Sequence, residues 1–211
     1  MTSKEVILFI DDEKMSRILY RGTLQDIYGD EYDVLAIEPS PTISAMLATI
    51  EKFERVVSIV IDEKLHVEVG ADYKGSQLVT AIRLLDAKLP LYILTSEMGL
   101  IEPPFGSVEY IIDKSRVEQP AYKEECSILM RRHINSFNEI KSARNIRFDE
   151  LLKKSIEDSL SPEEIEEYNA LDFLRVRQVL TTEAIVPSEE LSKQEQLLAE
   201  IEKQLKKLGG E

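Results

Sequence analysis

Two hydrophobic patterns alternate along the first half of the chain. Short unbroken apolar runs at 6–10, 32–37, 56–61, 91–94 and 108–112 have the length and β-branched content of strands, the first and third buried on both faces as in a parallel sheet. Between them, apolar residues recur at helical spacing. Met15, Ile18, Leu19, Leu24 and Ile27 predict a helix over 13–28, closed by Gly29-Asp30. Ile43, Met46, Leu47 and Ile50 predict one over 42–53, and Gly75-Ser76 opens another over 77–85. Strands alternating with helices predict an α/β fold with a doubly wound, five-stranded parallel sheet. The alternation weakens at 99–106 (GLIEPPFG), where breakers leave room for at most a short helix between the fourth and fifth strands.

From about residue 120 the pattern is helical only. Residues 122–159 read as one or two long helices with Ile128, Leu129, Ile134, Phe137, Ile140, Ile146, Leu151, Leu152 and Ile156 on the apolar face. Ser161, Pro162 and Glu164 stand at the N-cap, first-turn and capping-box positions of a helix over about 162–180. Ser188 caps a last amphipathic helix over about 188–208. Leu191, Leu198 and Leu205 fall seven apart there, with Ile201 and Leu208 on the other seam position. Fewer than three heptads fit a coiled-coil dimer seam and a tail packed on its own domain equally well. The predicted organisation is an α/β domain over 1–118 and an all-α region over 119–211, its long helix at about 120–158.

Composition narrows the function classes. At 43% hydrophobic residues a substantial core is expected. A formal charge of −14 makes DNA an unlikely partner, because phosphate contacts need clustered cations, and it disfavours anionic membranes. The basic residues that exist concentrate in Arg131, Arg132, Lys141, Arg144, Arg147, Lys153 and Lys154, which read as a solvated helix face or a docking strip. The single cysteine, Cys126, forms no intramolecular disulfide and reads as a core filler. No apolar stretch approaches the roughly 20 residues of a membrane span, so a cytoplasmic protein without membrane partners is expected.

The candidate chemistry sits at the ends of the apolar runs. The first run ends in Asp11-Asp12-Glu13 and the third in Asp62-Glu63; the fourth ends in Thr95-Ser96 and the fifth in Asp113-Lys114. In an open α/β sheet these ends form the ligand crevice. The acids alone fit either a hard divalent cation such as Mg2+ or a capped helix start. Adjacent parallel strands would bring Asp11, Asp12 and Asp62 together, which the capping reading does not explain. Thr95 and Lys114 then add a hydroxyl and an ammonium, a set able to neutralise a transferring phosphoryl group.

IDDE at 10–13, IVIDE at 59–63, LYILTS at 91–96 and YIIDKS at 110–115 resemble the receiver domain of two-component response regulators, over roughly residues 4–118. The resemblance implies a flavodoxin-like sheet of order 2-1-3-4-5. It implies Asp62 as phosphoacceptor, Asp11, Asp12, Asp62 and the backbone carbonyl of Lys64 as Mg2+ ligands, and Thr95 and Lys114 as switch hydroxyl and phosphate-pairing lysine. The partners implied are a sensor histidine kinase or phosphotransfer protein and a downstream protein, with a homodimer possible and no enzyme activity beyond handling the acceptor's own phosphoryl group. The sequence departs from the family in its long loop after Asp62, in Ser115 after the lysine, and in the short span before Tyr110. Lys64 and Glu97, each two residues past a site residue, carry opposite charges that can pair across the mouth of the site. The alternative is a degenerate receiver used as a binding scaffold or dimerisation module. A haloacid-dehalogenase-type enzyme would need an Asp-x-Asp motif, which Asp11-Asp12-Glu13 does not supply.

Overall fold

The computed structural model describes residues 4–65, 70–98, 107–157 and 159–183, with side chains to residue 173. The order of elements is β1 (Glu5–Ile10), α1 (Lys14–Tyr28), β2 (Tyr32–Ile37), α2 (Ile43–Ile50), β3 (Val56–Asp62), α3 (Gly75–Leu85), β4 (Leu91–Thr95), β5 (Tyr110–Asp113), α4 (Pro120–Ile156) and α5 (Pro162–Glu183). The five strands are parallel and ordered β2-β1-β3-β4-β5. This is the receiver-like doubly wound sheet, followed by a helical C-terminal region. The chain divides into two compact units, Met1–Leu171 and Asp172–Glu211. Of the second, only the continuation of α5 to Glu183 is described. The predicted helix at 188–208, its seam residues and the breaker-rich stretch 99–106 lie outside the described residues.

The central strands carry the core because they are apolar on both faces. Ile7, Leu8, Phe9 and Ile10 of β1, Ile59, Val60 and Ile61 of β3, and Leu91 to Leu94 of β4 are fully buried. Strand β5 starts two residues later than the apolar run at 108–112 suggests. Glu109 N still donates to Leu91 O of β4 at 3.0 Å, but Leu91 N is taken by the Glu109 carboxylate at 2.6 Å, which also accepts from Arg83 through both oxygens at 2.7 Å. Helix α2 begins at Ile43 because Thr42 caps it, its hydroxyl accepting from Ala45 N.

Two apolar faces differ from expectation. In α1 the buried residues are Thr23, Leu24, Ile27 and Tyr28, whereas Met15, Ile18 and Leu19 are exposed. At 100° per residue the second set lies on the opposite side of the helix, so α1 has two apolar stripes and only one meets the sheet. In α4 the buried residues are Tyr122, Cys126, Met130, Ile134, Phe137, Phe148 and Leu151, while Ile128, Ile140, Ile146, Leu152 and Ile156 are exposed. The first five belong to the core cluster of the sheet. Phe148 and Leu151 serve a second contact, where α4 meets α5 and Phe148 stacks on Tyr168 at 5.3 Å. Cys126 is a core residue as expected.

Three residues of the basic strip on α4 are paired with acids of the chain. Arg147 pairs with Glu150, Glu164 and Glu167, Lys154 with Glu164, and Arg131 with Glu31. His133 is half-buried, and its Nδ1 shares a hydrogen bond of 2.9 Å with Tyr92 Oη. Among the described residues no helix is long and apolar enough to cross a membrane.

Candidate functional site

Parallel strands of similar length end at one level, and the five predicted side chains are delivered there by four of them. Asp11 and Asp12 follow β1, Asp62 closes β3, Thr95 closes β4, and Lys114 follows β5. Lys114 N donates to Thr95 O at 2.8 Å, which joins the last two. Asp11, Asp12, Asp62 and Thr95 are all buried. Oxygens of the three aspartates lie within 4.8 Å of one another. Lys114 Nζ lies 2.9 Å from Asp62 Oδ1 and 3.1 Å from Asp11 Oδ2. The second oxygen of Asp62 accepts from Lys64 N at 3.3 Å, and Asp11 Oδ1 accepts from Glu13 N at 2.9 Å.

These groups open into a cavity of about 530 Å³ lined by Asp12, Asp62, Lys64, Thr95 and Lys114, together with Glu13, Ser16, Tyr20, Ser96 and Ser115. Across its mouth Lys64 Nζ and Glu97 Oε1 meet at 2.5 Å, the ion pair the sequence suggests. The loop departure noted in the sequence is accommodated by Gly75. A Cβ there would stand 2.2 Å from the carbonyl oxygen of Asp62, so only glycine lets α3 start this close to the end of β3. Glu63 then accepts from Ser76 N and Ser76 Oγ, each at 2.9 Å, tying the start of α3 to the residue after Asp62.

The electrostatics are those of an undercompensated acidic cluster. Burial pushes the Asp62 carboxyl up to about 6, and nearby Asp11 adds to the rise while Lys114 opposes it. Burial also raises Asp11, again against the pull of Lys114. Burial works against the Lys114 charge, but Asp62 and Asp11 outweigh it and hold the ammonium above the ordinary lysine range. Asp11 and Asp62 thus share one ammonium, with Asp12 beside them. A hard divalent cation fits this oxygen donor set and the missing positive charge.

Several contributors escaped sequence reasoning. Arg17 donates through one nitrogen to the carbonyls of both Asp11 and Asp12 at 2.7 Å, pinning the turn that aims them. Tyr20 places its ring 5.2 Å from Lys114 Nζ. Glu13, Ser16, Arg17 and Tyr20 all fall on the first turns after Asp12, so helical spacing counted from the acidic cluster would have found them.

Solved structures with the same fold include NtrX from Brucella abortus in complex with ADP, at a TM-score of 0.50 and 17% identity over 68% of this chain and 30% of that one. They also include the response regulator TrrA from Thermotoga maritima in complex with Mg2+-BeF, at 0.46 and 17% over 59% and 98% of the chains. A CheY-like receiver domain protein from Methanospirillum hungatei matches at 0.47 and 20%, over 65% and 98%. The chain therefore has the receiver fold, and it spans about 30% of the NtrX chain. No protein-family model and no curated protein matches the sequence.

Proposed function

We propose that this protein is a phosphoacceptor of the response-regulator type, in which Asp62 takes a phosphoryl group from the histidine of a partner kinase or phosphotransfer protein. The observation that carries the reading is the convergence of four strand ends: Asp12, Asp62, Thr95 and Lys114 line one cavity, and Asp11 is buried beside them, paired with Lys114. Asp11, Asp12, Asp62 and the Lys64 carbonyl would hold Mg2+, which supplies positive charge to the phosphoryl oxygens when bound. The ionised oxygen of Asp62 attacks phosphorus as the bond to the donor nitrogen breaks, and an acyl phosphate forms. Lys114 then transfers its ion pair from the carboxylate to a phosphoryl oxygen, and the Thr95 hydroxyl donates to another.

The exposed ridge of Met15, Ile18 and Leu19 supports a protein donor. It lies on α1, whose Ser16 and Tyr20 line the cavity, so a partner helix seated on it would bring a side chain to the mouth. On this reading the helical region carries the output through protein contacts, and the chain is not an enzyme beyond forming and losing its own acyl phosphate. The test is incubation with a small acyl phosphate and Mg2+. A phosphorylated species in the wild type that is absent in Asp62→Ala is the expected result. No adduct, with the small donor or with a cognate kinase, would leave the scaffold reading in its place.

A further inference from the structure

Lys114 lies outside the sheet. Strand β5 ends at Asp113, and residues 114–118 form turns before α4 begins at Pro120. A turn has no ladder on both sides to orient its side chains, yet this lysine reaches two carboxylates at 2.9 and 3.1 Å. Three sets of contacts fix the backbone around it. Lys114 N continues the ladder to Thr95 O at 2.8 Å. Asp113 Oδ1 accepts from Ser115 N at 2.8 Å and from Ser115 Oγ at 2.6 Å, closing a side-chain turn over the lysine. Successive N–H groups of a strand point to opposite sides, so the N–H of Asp113 points away from β4, off the edge of the sheet. There it donates to the phenol oxygen of Tyr122 at 3.2 Å.

Tyr122 is well placed for this. It sits in the first turn of α4, is 3% exposed, and carries the Arg116 guanidinium over its ring at 4.4 Å. Its hydroxyl also reaches Tyr110 Oη, at the start of β5, at 3.5 Å. One phenol therefore holds both ends of the four-residue strand from which Lys114 departs, without lining the cavity itself.

We infer that Tyr122 is a positioning residue for Lys114: its phenol oxygen and the Asp113–Ser115 turn together set the backbone from which the lysine reaches Asp62. The inference rests on the reading of Asp62 as phosphoacceptor and extends it to a residue that touches neither the phosphoryl group nor its acceptor. Phenylalanine at 122 keeps the ring in its packing and removes the hydroxyl alone, and with it the acceptor for the Asp113 N–H and the long contact to Tyr110 Oη.

The test uses the full chain as wild type, Tyr122→Phe, Lys114→Ala and the double variant, phosphorylated with a small acyl phosphate and Mg2+. Tyr122→Phe is expected to lower the maximal rate about 3–10-fold at an unchanged half-saturating Mg2+ concentration. Lys114→Ala should lower it further, and the double variant should match Lys114→Ala alone, because the tyrosine acts through the lysine. An unchanged rate in Tyr122→Phe, or a loss that persists in full without Lys114, would overturn the assignment. A second readout does not depend on phosphoryl chemistry: exchange of the Lys114 ammonium protons, followed by nitrogen NMR, should quicken several-fold in Tyr122→Phe. Unchanged exchange refutes the positioning role by itself, whereas a wild type that accepts no phosphoryl group refutes only the functional reading.

Discussion

Replacing Asp62 with asparagine should make the metal-free protein more stable, and the gain should depend on pH. Asp62 is 7% exposed and is the group that burial raises from 3.8 to about 6. A carboxyl with a raised folded value contributes stability that is full below 3.8 and is lost as pH rises through 6. At about 1.4 kcal/mol per unit, ionised Asp62 costs the folded state roughly 3 kcal/mol at neutral pH. Asparagine is shaped like the protonated acid and does not titrate. Asp62→Asn should therefore exceed the wild type by about 3 kcal/mol above neutrality, a rise in Tm of roughly 6–12 °C for a chain of this size. The advantage should vanish below about pH 3.8, where the carboxyl is neutral in both states. The assay is thermal or urea unfolding with a chelator across this range. Saturating Mg2+ should then close the gap from the other side, raising the wild type by about 2.7 kcal/mol at a hundredfold excess over Kd and the variant by much less. Equal stability at neutral pH, or a difference that does not change with pH, would refute the electrostatic account.

Gly75→Ala should destabilise the fold by about 1–3 kcal/mol in urea unfolding, because its Cβ meets the Asp62 carbonyl; a neutral substitution would show that α3 shifts freely. Changing Lys64 and Glu97 together to alanine removes the ion pair at the mouth and should shorten the lifetime of phosphorylated Asp62 several-fold, measured as loss of label after the donor is removed. An equal or longer lifetime would mean that the pair does not hinder water. Ile18→Asp with Leu19→Asp should abolish transfer from a phosphorylated protein donor while leaving transfer from a small acyl phosphate within about twofold, since these side chains are 62% and 57% exposed and do not line the cavity. Loss of both activities would place the ridge in the fold instead.

The sheet and its site were readable because each central strand is an apolar run ending in a functional side chain. Runs such as 6–10 and 56–61 bury both faces, so the run itself marks the strand and its end marks the crevice. Helix faces were less readable. Met15, Ile18 and Leu19 share a helix with Leu24 and Ile27, and spacing alone does not say which stripe meets the sheet. The two burial zones of α4 likewise look like one long amphipathic pattern until α5 folds against its second half. Contacts made through side chains beyond helical or strand spacing, such as Arg83 with Glu109 and Asp113 with Tyr122, flank the two ends of β5 and left no local trace.

The uninterrupted course of α4 has a mechanical consequence. At about 1.5 Å per residue its 37 residues span roughly 55 Å. Its last contribution to the sheet's core is Phe137, leaving 19 residues, or roughly 28 Å of stiff rod, beyond that fulcrum. A tilt of about 5° about that fulcrum would swing the far tip through roughly 2.5 Å, somewhat more than the ~1–2 Å of a helix shift at a subunit interface. A displacement at the Tyr122 end would thereby be carried to where α4 meets α5 at about 1.3 times its size, a gearing fixed by where along the helix the core lets go.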